Sequence, residues 1–223
     1  LRINTPANYL QLYEGGTDSA HVGILHMNMM NPGWKDSAFV DGRTDQDGGK
    51  GCGARDSSTA NVVSKTELYM SSTVFEQTPS LEIEDTSYGF QYAALREAQP
   101  AEDGSSTWSV RITPIMLPTG RIIPANAFQF YVFEVPMNDA LTATYLVFHG
   151  PEKQDRQVII DTMGLSDPKF WTYEDCYFRA DWADRLGQDR ASMDRNWSGF
   201  AGIEQEDSII AMSMQPIVDR TKE

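Results

Sequence analysis

The chain has 223 residues, 40% of them hydrophobic and 11% aromatic, and a formal net charge of −14. That is enough apolar material for one large packed domain or two small ones, at roughly 100–200 residues per domain. The acidic balance argues against nucleic acid or anionic membrane as a partner, since both reward clustered Lys and Arg. With no apolar run of about 18 residues, no membrane span is expected.

The cysteines, Cys52 and Cys176, are far apart and in no metal-like spacing. Together with the lack of a charged-then-apolar leader, this fits a cytoplasmic protein in a reducing compartment. The start at Leu1, on an extended-looking LRINTPANY, and the stop at Asp219-Arg220-Thr221-Lys222-Glu223 lead to the expectation of a piece of a longer polypeptide.

Thr5-Pro6-Ala7-Asn8 predicts a helix start, with a Thr cap and Pro in the first turn. Tyr9, Leu12 and Tyr13 follow at helical spacing. Gly15-Gly16 predicts an interruption, and a second helix is expected from about Thr17 to Met30, ended by Asn31-Pro32-Gly33. From Pro32 to about Thr59 the chain is polar and rich in Gly, which predicts a long surface loop that is mobile or covers the mouth of a pocket. Asp45-Gln46-Asp47-Gly48 within it resembles a calcium loop only in part, because the place of the bidentate Glu is taken by Asp56.

Between about Asn61 and Gly150 the pattern is that of strands. Leu81–Tyr92, Trp108–Ile115, Phe128–Val135 and Leu141–His149 alternate and carry β-branched and aromatic residues, with Gly, Pro, Asn and Asp between them. Short joins predict an antiparallel meander. Helices are expected at Lys153–Met163, at about Tyr173–Met193 and at about Ile203–Met214. In the last of these Glu204, Glu206 and Asp207 occupy the first turns, where carboxylates suit the helix dipole. Helices, sheet, helices is the order of an α+β domain with helices on one side of an antiparallel sheet.

Two of the three histidines, His21 and His26, lie five positions apart, three residues after Asp18. Two imidazoles and one distant carboxylate form the ligand set of a facial-triad ferrous site with positions open for dioxygen. On a helix Asp18 and His21 share a face, so Asp18 is a natural acceptor for the second ring N–H of a liganding His21. His26 falls about 140° around from His21 at 3.6 residues per turn. Both reach one metal only if the helix ends, bulges or kinks between them, and Gly23 offers a place for that. The alternative is two partly buried histidines with no metal.

Asp207 is the candidate third ligand, because it lies on an amphipathic segment with Ile203, Ile209, Ile210 and Met212; the alternative is a charge at a helix N-terminus. Glu14, Val22 and Trp197 are candidate substrate contacts. Arg111 and Arg121, on strands, are candidates for a substrate carboxylate. His149, at a strand end, is expected to be structural or exposed. No Gly-X-Ser-X-Gly, dinucleotide fingerprint or zinc-type Cys/His cluster occurs.

Asn8-Tyr9-Leu10-Gln11-Leu12-Tyr13-Glu14-Gly15-Gly16-Thr17-Asp18-Ser19-Ala20-His21-Val22-Gly23-Ile24-Leu25-His26 resembles the iron-binding segment of Rieske non-haem iron oxygenase α subunits, with its Asp-X2-His-X4-His. The Glu-Gly-Gly before it and the terminal Glu206-Asp207 through Gln215-Pro216-Ile217-Val218-Asp219-Arg220 resemble the phthalate dioxygenase branch, which includes O-demethylases of lignin-derived aromatics. The resemblance implies mononuclear Fe(II) held by His21, His26 and Asp207. It implies that Asp18 bridges to a cluster-ligating histidine of a neighbouring subunit, within a homotrimer. The implied fold is a helix-grip-like antiparallel sheet flanked by helices. The implied activity is hydroxylation or O-demethylation of an aromatic acid with O2. A flavin and iron–sulfur reductase would supply electrons from NADH.

The chain departs from the family by lacking Cys-X-His and Cys-X2-His, the ligands of the [2Fe-2S] Rieske cluster. Residues 1–223 are therefore expected to be a mononuclear-iron catalytic domain cut at both ends, without its Rieske domain and unable alone to complete turnover. The competing readings are another facial-triad Fe(II) oxygenase and a metal-free helix-grip ligand-binding module.

Overall fold

The structure is a computed structural model that describes residues 1–27, 72–73, 75–97, 104–124, 129–150, 155–194 and 196–222. The loop expected at 32–59 lies outside the described residues. Among those described, seven strands form one antiparallel sheet in the order β1-β7-β6-β5-β4-β3-β2. They are β1 Arg2–Thr5, β2 Ser80–Thr86, β3 Gly89–Glu97, β4 Trp108–Met116, β5 Gly120–Ile123, β6 Gln129–Asn138 and β7 Leu141–His149. From β2 to β7 the sheet is a meander, as the alternating segments and short joins predict, and β1 closes it beside β7.

Two strands correct the sequence reading. Leu81–Tyr92 is a hairpin and not one strand: Thr86 pairs with Gly89 across a tight turn. Gly89 sits at φ +145, and a Cβ there would fall 2.4 Å from the carbonyl oxygen of Ile115, so both the turn and β4 require glycine. Thr5 does not cap a helix. It remains in β1, paired with Thr142, because the buried Ile3 draws this segment into the sheet.

The first helix, α1, spans Tyr9–Thr17 and is capped by Asn8, whose side chain accepts from Leu10 N at 3.0 Å. It runs through Gly15-Gly16 without a break. The propensity cost of about 1 kcal/mol per glycine is outweighed by what α1 docks: Tyr13 is buried, and its hydroxyl donates to the carbonyls of Met116 and Gly120 at the β4–β5 turn. The second helix, α2, is only His21–Leu25 within the described part of the expected Thr17–Met30 stretch. Helix α3 spans Arg156–Thr162, capped by Asp155, and α4 spans Ile203–Ser213.

The helix expected at about Tyr173–Met193 is absent among the described residues. Short 3₁₀ turns at Trp182–Gly187 and Arg190–Ser192 stand there, with Arg185, Leu186 and Gly187 at φ of 51, 57 and 77. Asp181 and Asp189 turn their carboxylates onto the amides of Ala183 and Ala191, and such local bonds compete with helix formation. Leu186 meanwhile drops into the core.

Burial is concentrated toward the β1, β6 and β7 side. There Ile3, Val132 and Leu146 meet Ile160 of α3, Leu165, Trp171 and Phe178 of the connecting segment, and Ile209 of α4. At about 1.5–3 kcal/mol for each large side chain buried, this cluster holds α4 to the sheet. A second cluster, Tyr13, Tyr92, Ala94 and Ile115, holds α1 to β3 and β4. Ala7, Leu12 and Ala211 join α1 to α4. The two helices that flank the candidate site are thereby fixed to one sheet face and to each other.

Candidate functional site

Three short-range decisions bring the site together. The amide of Asp18 ends α1 by donating to the carbonyls of Glu14 and Gly15. The Asp18 carboxylate then starts α2, accepting from Ala20 N at 2.7 Å and His21 N at 3.2 Å. At His26 the backbone leaves the helical region, with φ −90 and ψ 34. The helix therefore ends at the second histidine, and α2 is little more than one turn long. Gly23 serves a different purpose from the kink expected there: a Cβ on it would lie 2.7 Å from the carbonyl oxygen of Thr73, so it lets α2 approach a neighbouring backbone.

The rings of His21 and His26 lie edge to face, with centroids 5.0 Å apart. Across from them α4 presents Asp207, whose Oδ1 is 3.7 Å from His21 Nε2 and 3.2 Å from His26 Nε2. One ligand atom from each of these three residues lies within 4.8 Å of the others. The remaining ring nitrogens point away and are occupied. His21 Nδ1 meets the main-chain carbonyl of Asp18 at 2.5 Å, and His26 Nδ1 meets Glu206 Oε2 at 2.6 Å. The expected support of His21 by the Asp18 carboxylate is thus supplied by the carbonyl of the same residue, while the carboxylate lies 3.9 Å off and half exposed.

The two imidazoles differ electrostatically. Burial works against a charge on His26, but Asp207 and Glu206 outweigh it and push its pKa up to about 10. Burial lowers the pKa of His21; Asp207 opposes the shift and the neighbouring His26 adds to it. Asp207 is held below the usual carboxylate range, because His26, His21 and Arg121 overcome its desolvation. Burial raises Glu206, with His26 and Ser198 only partly compensating. A buried carboxylate, Glu206, and a half-buried one, Asp207, thus flank the His26 ring from its two nitrogen sides. Two imidazole nitrogens and a carboxylate oxygen within 4.8 Å of one another suit a first-row divalent ion.

Glu206 is the member of this group that the sequence reading missed, having been assigned to the helix dipole. The available signal was its adjacency to Asp207 on a helix facing two histidines. Its other oxygen accepts a hydrogen bond from Ser198 Oγ.

The remaining candidates are dispersed. Val22 is buried beside His21 on α2. Glu14 is exposed, and Arg220 holds it bidentately at 2.9 and 2.8 Å, so its carboxylate faces the C-terminal segment. Trp197 is 42% exposed, next to Ser198. Arg121 is buried against Glu134 at 2.6 Å and so is committed within the fold. Arg111 is half-buried on β4, and His149 is exposed at the end of β7.

Known proteins resemble this chain over most of its length. The sequence model of a family described as LigXa C-terminal domain like matches residues 54–223. That match takes in Asp207 and begins beyond His21 and His26. The oxygenase subunit of a phthalate 4,5-dioxygenase from Pseudomonas putida is 32% identical over 228 aligned positions, which cover 98% of this chain and 44% of that protein. The chain thus spans less than half the length of that relative.

Proposed function

Since the chain belongs to the LigXa C-terminal domain-like family of Rieske oxygenase catalytic domains, we propose that it acts on an aromatic acid with dioxygen, by ring hydroxylation or by O-demethylation. The observation that carries this reading is the convergence of His21, His26 and Asp207 within 4.8 Å. These three residues would hold ferrous iron, each histidine through Nε2, because both Nδ1 atoms are already engaged. Iron bound there would supply the binding and activation of dioxygen at coordination positions the protein leaves open.

The protein's own groups prepare that site. Asp18 carries two roles at once: its carbonyl orients His21, and its half-exposed carboxylate caps α2 while staying open toward a neighbouring molecule. We place there the contact with a cluster-ligating histidine of the next subunit in a homotrimer, through which electrons reach His21. A [2Fe-2S] cluster in a Rieske domain outside residues 1–223, and a flavin and iron–sulfur reductase using NADH, complete the proposed system. Val22, next to His21, and Trp197, next to the Ser198 that donates to Glu206, are the proposed substrate contacts. The exposed Glu14, engaged by Arg220, is not. No helix among the described residues is long and apolar enough to cross a membrane.

The test is anaerobic reconstitution with Fe(II) followed by iron analysis. One iron per chain is expected, falling close to none in His26→Ala and Asp207→Ala. With reductase, NADH and the cluster-bearing polypeptide, product is expected from a panel of phthalates and methoxybenzoates. A chain that folds and takes no iron is a metal-free ligand-binding module instead.

A further inference from the structure

His21 and His26 are supported by different chemistry. His21 Nδ1 faces a neutral main-chain carbonyl, that of Asp18, in a part of the site that is open to solvent. His26 Nδ1 faces the carboxylate of Glu206 at 2.6 Å, with both side chains almost fully buried, at 3% and 4% exposed. Glu206 is itself held from its other end. Its Oε1 accepts from Ser198 Oγ, and that hydroxyl accepts from Phe200 N at 3.2 Å. Phe200 belongs to the main core cluster, so the chain Phe200–Ser198–Glu206–His26 is anchored in packed structure.

Resting on the iron-site reading above, we propose that Glu206 is the positioning residue for His26. It keeps the ring proton on Nδ1 and so leaves Nε2 free for the metal. It also makes His26 the stronger donor of the two histidines, since a carboxylate acceptor raises the basicity of a liganding imidazole more than a carbonyl does.

The cost of burying Glu206 supports this role. A carboxylate with no cationic partner in such a place is strongly disfavoured. An apolar residue would pack on the same face of α4, where Ile209 already does. The site keeps a buried carboxylate where packing alone favours an apolar side chain, and directs it at one ring nitrogen. The consecutive residues Glu206 and Asp207 thereby address the two sides of a single imidazole, one at Nδ1 and the other near Nε2. Ser198 ties the segment that carries Trp197 into the same chain, so the proposed substrate contact and the metal ligand share one support.

The test is Co(II) affinity, measured by competition with a chromophoric chelator on the wild-type chain and on Glu206→Gln and Ser198→Ala. Glu206→Gln keeps the shape and removes the charge, and is expected to weaken Co(II) binding about 10- to 100-fold. Ser198→Ala is expected to weaken it several-fold, and carries the test if Glu206→Gln does not fold. In NMR spectra of the Co(II) form, the hyperfine-shifted exchangeable proton of His26 should move in Glu206→Gln while that of His21 stays. A purely structural carboxylate would change unfolding temperature without moving that proton. Affinity in both variants within about threefold of wild type, well short of the expected loss, overturns the role of Glu206 and leaves the iron site standing. A wild-type chain that takes no Co(II) overturns both.

Discussion

The guanidinium of Arg121 occupies the space that a side chain on Gly16 would need: a Cβ at Gly16 would lie 2.0 Å from its Cζ and 2.1 Å from its Nη2. Arg121 cannot swing aside freely, because it donates to Glu134 at 2.6 Å and both side chains are buried. Gly16→Ala therefore sets two effects against each other. Alanine gains about 1 kcal/mol of helix propensity. Displacing Arg121 from a buried carboxylate costs about 3–5 kcal/mol. Net destabilisation on the order of 2–4 kcal/mol is expected, read as a lower urea midpoint. Unchanged or raised stability would show that Arg121 relocates without loss.

A second prediction concerns the strap that ends the described chain. Gln11 of α1 is 3% exposed. Its amide donates to the carbonyls of Ala211 and Gln215 at 3.1 and 3.0 Å, and its oxygen accepts from Val218 N at 2.9 Å. The amide of Asn8 adds a bond to the carbonyl of Pro216. Gln11→Ala leaves three backbone groups without partners and should cost about 2–3 kcal/mol, since only some of them can find water. Glu14→Ala removes the exposed pair with Arg220 and should cost about 1 kcal/mol or less. Hydrogen exchange at the Val218 amide should accelerate strongly in the first variant and little in the second.

What could be read in advance followed from periodicity and from rare residue types. Alternation along Trp108–Ile115 and Leu141–His149 is enough to place β4 and β7, because a sheet buried on one face needs a period of two. Three histidines in the chain left few candidates for a ligand set. The misses share one cause: a local preference overruled by a distant partner. Gly15-Gly16 reads as a break, and only Arg121, more than a hundred residues later, explains why α1 needs a glycine inside it. Asp181 and Asp189 fall within the stretch expected as helix at about Tyr173–Met193, and they cap turns instead. Glu206 reads as a dipole charge, because spacing cannot tell which of two adjacent carboxylates faces a particular ring nitrogen.

Asp18→Asn separates the two roles of that residue. The main-chain carbonyl that meets His21 is untouched, and the asparagine oxygen still accepts from a helix-starting amide. Iron content and unfolding temperature should therefore stay near wild type, the latter within about 0.5 kcal/mol of stability. The half-exposed negative charge is lost, and turnover with reductase and the Rieske-bearing polypeptide should fall sharply. Wild-type turnover in this variant would remove Asp18 from the electron route.

The last prediction is a pH dependence with a definite sign. Glu204 lies on the buried side of α4. Burial first, then the negative charges of Asp207 and Glu134, push its pKa from 4.5 up to about 8, against partial relief from Arg121 and Ser208. The folded chain thus holds this proton more tightly than the unfolded one does. The stability contributed by Glu204 is fully present below its unfolded pKa and is lost as pH rises through about 8. In metal-free protein kept under chelator, stability should decline from about pH 5 toward pH 8. His26 contributes in the same direction but higher, from 6.5 to about 10, so the decline continues beyond that range. Glu204→Gln keeps the shape of the protonated acid and cannot ionise. It should flatten the lower part of the curve, leave the upper part, and exceed wild type near pH 8.5 by on the order of a few kcal/mol. Urea unfolding of both proteins at half-unit steps of pH measures this. Parallel curves would mean that Glu204 is ionised in the folded chain, stabilised there by Arg121.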